Sequence, residues 1–178
     1  MDLFETILNR RSIRCYQGKE ISDEILFKLT EMAHWAPSAG NINPRYYLSV
    51  KNSEMIGKIK SLSPGMFGNP AAIMVLSADK IKAEEKASTN GDIYSIIDIA
   101  MAAQNFLLAA HALHLGACVI RSFHAQAIGG LLGLPIHIVP ELLIALGYPE
   151  GDLPKGVRPN LKDVYHQESF LGSVGNGK

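Results

Sequence analysis

Three arginines and a serine crowd into five positions, Arg10, Arg11, Ser12 and Arg14, in a 178-residue chain whose formal net charge is zero. Guanidinium groups this close repel one another unless an anion lies among them. Their planar N–H forks match phosphate oxygens, and a serine hydroxyl adds a further donor. The chemistry open to this pattern is to seat a phosphate. On charge alone a solvated basic helix end is the simpler reading, because charge runs are usually solvated. Lys155 and Arg158, far along the chain, could complete the same seat if the segment carrying them folds back.

Other polar groups are less pointed. Asn41 and Asn43, in the run Pro37-Ser38-Ala39-Gly40-Asn41-Ile42-Asn43-Pro44, can both donate and accept, which suits the edge of a heterocycle. A plain turn is the simpler account of that run. Asp98 and Asn105 share one face of an apolar stretch, where buried polar groups must find partners. They read as a satisfied core network or a strip facing a second subunit. His111, His114 and Cys118 have partial metal spacing but no adjacent acidic ligand, and no metal site is expected. Neither G-x-x-x-x-G-K-[ST], G-x-G-x-x-G after a strand, nor G-x-S-x-G occurs. A phosphate would therefore be held by side chains, not by a glycine cradle.

The elements that must position these groups follow from periodicity. Leu3, Phe4, Ile7 and Leu8 predict an amphipathic helix over residues 2–12, ending in the arginines. Ser22 predicts an N-cap for a second helix that Pro37 stops. A loop over 37–44 leads to a strand over 46–50, a helix over 53–60, a loop over 61–70 and a buried strand over 71–78. Residues 80–92 are charged and read as an exposed, mobile loop. A long helix over 93–115, with Gly116 in the C′ position, is apolar enough to be packed on most sides. A strand over 117–121, a helix over 124–132 and a strand over 141–146 complete one sheet of four or five strands. The Pro- and Gly-rich residues 150–178 read as an extended tail that wraps something.

Bulk composition removes several function classes. A pI of about 7.0 argues against nucleic acid, which needs a larger basic face. Asp98 interrupts the most apolar helix, so a lipid-facing role is not expected. Two widely separated cysteines, Cys15 and Cys118, suggest no disulfide framework, and no signal peptide is apparent, so a reducing, cytoplasmic location is expected. The 47% apolar content exceeds what one small core needs and hints at an obligate oligomer.

The order of these segments is more specific than any one of them. R-R-S-I-R-x-Y ends the first helix, and A-P-S-A-G-N-x-N-P follows. The long helix reads D-I-A-M-A-A-Q-N-F-L-L-A-A-H-A-L-H-L-G-A-C. L-L-G-L-P, A-L-G-Y-P and K-G-V-R-P come after it. Over roughly residues 3 to 166 the chain resembles the FMN-dependent nitroreductase family. The resemblance implies an α+β fold, one domain over 1–178, with a central mixed β-sheet flanked by helices. It also implies an intertwined homodimer with two FMN molecules at the interface and the tail wrapping the partner subunit. Carried over by position, Arg10, Arg11, Ser12 and Arg14 resemble the phosphate and ribityl contacts, with Lys155 and Arg158 as the late basic pair. Pro37, Ser38, Ala39, Asn41 and Asn43 resemble the loop that approaches the flavin from the partner. Ile120 and Arg121 match the segment near the ring's reactive edge.

The chain departs from the family's pattern where N-x-Q-P-W becomes Asn41-Ile42-Asn43-Pro44-Arg45 and where Arg121 replaces a frequent Gly. Arg121 could stabilise charge on reduced flavin or on an anionic substrate, or point away. The implied activity is ping-pong electron transfer from NADH or NADPH to a nitroaromatic, quinone or enone. The flavin carries the chemistry, so no catalytic side chain is expected. A dehalogenase or flavin-destroying enzyme on the same fold, and a non-catalytic flavin-storage protein, are the competing expectations.

Overall fold

The computed structural model describes residues 2–87, 90–151 and 155–170. Six helices and four strands run in the order α1 (Leu3–Asn9), α2 (Asp23–His34), β1 (Arg45–Val50), α3 (Ser53–Ser61), β2 (Ala72–Asp79), α4 (Lys80–Ala87), α5 (Gly91–Ala112), β3 (Gly116–Ile120), α6 (Ala125–Leu131) and β4 (Ile138–Gly147). The sheet order is β1-β2-β4-β3, and every strand pair in it is antiparallel. The expected mixed character shows among the described residues only as an isolated parallel bridge between Ser12 and Ala117.

Alternation along β2 divides the core. Met74 and Leu76 face α2 and α5, where they meet Leu29, Ile99 and Phe106. Ile73 and Val75 face the other way, onto Ile59 of α3 and Ile128 of α6. Pro140 lies inside β4, opposite Ser77, where the register shifts. A bulge is where a sheet tolerates proline, so β4 runs past the boundary expected at residue 141.

Capping explains most helix starts. Ser22 accepts from the N–H of Ile25, and Asn52 from that of Met55. Asp2 and Glu5 form a reciprocal capping box on α1. The expected mobile loop over residues 80–92 is in large part helix α4. Asp79 caps it by accepting from the N–H of Lys82 at 2.9 Å. Its hold on α5 is a close approach of backbones: a Cβ on Gly91 would lie 2.6 Å from the Ala83 carbonyl. Of Ile81 and Ala83, only Ala83 is buried, so no hydrophobic stripe betrays it. The αL residue after α5 is His114 (φ 59°), and Gly116 instead opens β3. α5 is long and apolar enough to cross a membrane by length and composition alone. Here its inner face lies on the sheet.

Leu3, Phe4, Ile7 and Leu8, the apolar face of α1, are all exposed, and Thr6 is its one buried residue. Ile93, Tyr94, Ile96, Ile97 and Met101 on the first half of α5 are exposed as well. The single chain leaves these surfaces uncovered.

Candidate functional site

α1 ends at Asn9, with Arg10 as its C-cap, so the arginine motif lies in the extended segment that follows the helix. Ile13 and Tyr16 turn inward and anchor that segment. The Ile13 N–H donates to the Ala117 carbonyl at 3.1 Å, and the Tyr16 hydroxyl to the Ile13 carbonyl at 2.6 Å. Burial pushes the Tyr16 phenol well above its ordinary pKa. Two glycines allow this close seating. A Cβ on Gly116 would lie 2.7 Å from the Ile13 side chain, and one on Gly147 equally close to the Tyr16 ring. With Ile13 and Tyr16 pinned, Arg10, Arg11, Ser12 and Arg14 are left half-buried or exposed at the sheet edge.

The late basic pair reaches the same place. Gly156 sits against the Arg11 guanidinium so tightly that a Cβ would lie 2.5 Å from its Cζ. Arg158 and Arg11 both lie within electrostatic range of Arg10. Partial burial, then these two cations, lower the Arg10 pKa. Lys155 is exposed beside Gly156. His111, at the end of α5, and His114 just beyond it lie beside this cluster. Burial and Arg10 hold the His111 pKa below its usual value. Among the described residues no carboxylate forms an ion pair with Arg10, Arg11, Arg14, Lys155 or Arg158. Cations gathered without a counter-charge among the described residues, three of them planar forks on one short segment, fit a phosphate dianion such as that of FMN.

The loop forms a second locus. Ser38, Ala39 and Asn43 are tied to Asp98 on α5, which is only 3% exposed. Its carboxylate accepts from the Ser38 hydroxyl at 2.5 Å and from the Ala39 N–H at 3.0 Å. Ser38 Oγ accepts in turn from the Asn43 N–H at 2.9 Å. Pro37 offers its carbonyl to Arg45. Arg45 is the first residue of β1 and is buried. Its guanidinium donates to the carbonyls of His34 and Ala36 at the end of α2, to the Asp98 carbonyl, and to Asn43 Oδ1. It therefore works behind the loop and does not enter a pocket. Asp98 and His111 are thirteen residues apart on α5, about 20 Å along the axis. The loop and the arginine cluster of one chain thus lie far apart.

Ile120 and Arg121 form a third locus. Ile120 is buried in the core at the end of β3. Arg121 is 60% exposed and reaches Glu141 Oε2 at 3.4 Å. Glu141, 6% exposed, holds Lys80 at 2.6 Å, and Lys80 also holds Asp92 at 2.7 Å. No motif or periodicity marks this group in the sequence. Its signal is a lone carboxylate in the apolar run Ile138–Gly147, which demands a buried cation.

Known proteins share this architecture. The nitroreductase family model matches residues 7–63 and 58–148. A protein of Methanothermobacter thermautotrophicus, whose name couples NADH dehydrogenase with NAD(P)H nitroreductase, is 34% identical over 154 residues, covering 84% of this chain and 78% of its own. An FMN reductase (NADPH) of Bacillus subtilis is 26% identical over 186 residues, covering 93% of this chain and 73% of its own. The structure of NfrA1 from B. megaterium superposes with a TM-score of 0.84 at 33% identity, covering 94% of this chain and 74% of that one. The α+β fold with an arginine-rich sheet edge defines a class, and the chain belongs to the nitroreductase family.

Proposed function

We propose that the chain is an FMN-dependent NAD(P)H oxidoreductase that works as a homodimer. The observation that carries this is the cluster of Arg10, Arg11, Arg14 and Arg158, brought together with no carboxylate partner among the described residues in a chain of zero net charge. Arg10, Arg14, Lys155 and Arg158 would hold the phosphate, with Arg11 positioned under Gly156 and Ser12 offering a hydroxyl toward the ribityl chain. FMN, when bound, would supply the redox chemistry, hydride transfer from NADH or NADPH and electron transfer to an acceptor such as a nitroaromatic, quinone or enone. The chain's residues bind and orient. Pro37, Ser38, Ala39, Asn41 and Asn43 would border the ring in the partner's site, and Ile120 and Arg121 would border its edge.

One distance and several exposed apolar faces support this assembly. The loop and the arginine seat lie about 20 Å apart along α5, so a second copy is needed to bring one to the other. The exposed apolar faces of α1 and α5 are what such a copy would cover. Val157, Leu161, Val164, Tyr165 and Phe170 in the tail are exposed too and would wrap the partner. Free thiols at Cys15 and Cys118 agree with a cytoplasmic location.

The test is the absorption spectrum of the purified protein, followed by anaerobic mixing with NADH and with NADPH. A yellow dimer that bleaches with one donor is expected. A colourless protein refutes flavin binding, and a yellow protein that neither donor bleaches refutes the reductase reading in favour of storage.

A further inference from the structure

The loop carries a line of hydrogen bonds whose polarity is fixed at both ends. Arg45 can only donate, and its Nη2 lies 2.5 Å from the Asn43 side chain, so the atom it meets is Oδ1. The other end of that amide lies 3.0 Å from the main-chain oxygen of Asn41, which can only accept, so it is Nδ2. The two constraints agree. The same Nδ2 lies 2.8 Å from the Asn41 side chain, so the atom there is Oδ1. The Asn41 Nδ2 is thereby turned away from Asn43, at an exposed position.

We infer that Asn41 presents its side-chain NH2 as a fixed donor to an acceptor oxygen of a bound molecule, and that Arg45 and Asn43 are positioning residues that set this polarity. The oxygen belongs to a ring carbonyl of the flavin or to the electron-accepting substrate. Its identity rests on the function proposed above; the polarity itself does not.

A free asparagine presents its oxygen and its NH2 almost equally. Here a flip would set NH2 against NH2 and break the bond to Asn43, a preference of at least about tenfold. The backbone leaves the loop little freedom to compensate. Gly40, Asn41 and Asn43 all hold φ between 50° and 55°, where asparagine and glycine are the tolerated residues. Asp98 clamps the start of the loop through Ser38 and Ala39. The departure from the family's N-x-Q-P-W thus has a consistent sense. A shorter amide at 43 and a cation at 45 together form a relay from a buried guanidinium to an exposed donor.

Asn41→Asp tests this without disturbing the relay. The inward oxygen that Asn43 needs is kept, and the outward donor becomes an acceptor. The far-UV circular dichroism of the holoprotein should be unchanged. If the flavin carbonyl is the ligand, the FMN Kd rises about tenfold or more and the flavin spectrum shifts. If the substrate oxygen is the ligand, KM for 1,4-benzoquinone rises by a similar factor while FMN affinity is unchanged. Asn43→Ala, which frees the Asn41 amide, should move the same quantity by less and add little in the Asn41→Asp background. Neutron diffraction decides the polarity directly, since deuterons on Asn41 Nδ2 must point outward. An outward Asn41 oxygen overturns the inference, as does an Asn41→Asp protein with unchanged FMN affinity and unchanged quinone KM. A wild-type protein that binds no FMN refutes the proposed function instead, and the neutron map then still decides the amide's orientation.

Discussion

Replacing Lys80 by Met should be among the most destabilising single changes in the molecule, and the reason lies in what it strands. The Glu141 carboxylate is 6% exposed and has two cations near it. Lys80 is at 2.6 Å and largely buried, whereas Arg121 is at 3.4 Å and mostly in solvent. An exposed partner at that distance contributes about 0–1 kcal/mol. Removing one member of a buried pair costs about 3–5 kcal/mol, because the remaining charge is uncompensated. With Arg121 and the exposed Asp92 taking little part, a loss of roughly 3 kcal/mol is expected. In a chain of this length that lowers Tm by roughly 6–12 °C. Urea titration and thermal melts of the holoprotein measure both. Lys80→Met/Glu141→Leu should regain most of the loss, since an apolar pair of similar volume needs no counter-charge. A single variant that costs less than about 1 kcal/mol, or a double variant no more stable than the single, refutes the reasoning. Arg121→Ala should cost under about 1 kcal/mol, so any change it brings in turnover can be read as function.

Further outcomes follow from the site and its supports. Arg10→Ala/Arg14→Ala should weaken FMN binding by at least about a hundredfold, as charged contacts to a dianion are lost; unchanged affinity by fluorescence titration removes the phosphate seat. Gly147→Ala should cost about 1–3 kcal/mol in a urea melt, because the added methyl meets the Tyr16 ring at 2.7 Å, and it should also weaken FMN binding by shifting the arginine segment. Burial works against the Lys80 ammonium, but its hydrogen bonds to Asp92 and Glu141 prevail and raise its pKa above 10.5. The stability it contributes is therefore complete below pH 10.5 and is lost as pH climbs through the higher folded value. Stability curves of wild type and Lys80→Met should converge over that alkaline range; parallel curves refute the linkage.

Periodicity and caps made much of the fold legible. Ser22 marked α2, and the continuous apolar run of residues 73–76 marked a strand covered on both faces. α4 was not legible that way, because its hold rests on Ala83, a glycine contact and the Lys80 ion pairs, none of which makes an apolar period; Asp79 as an N-cap was the signal available. The arginines were visible as a charge anomaly. Their setting was not, because the buried residues that aim them, Ile13 and Tyr16, gain meaning only from Gly116 and Gly147, more than a hundred residues away. Arg45 was legible as a departure from a pattern but not as a buried group. Its five acceptors come from the end of α2, the loop and α5, which converge only in the fold.

The distance along α5 between the loop and the arginine seat has a genetic consequence. If each site takes its seat from one copy and its loop from the other, damage to the two parts is separable in trans. A chain with Arg10→Ala/Arg14→Ala and a chain with Asn41→Asp are each defective at both sites of their own homodimers. Mixed one-to-one, they form heterodimers in which one site inherits both lesions and the other inherits none. At limiting FMN and quinone, co-expression should therefore restore activity to about half of wild type per heterodimer, from two parents that are each impaired under those conditions.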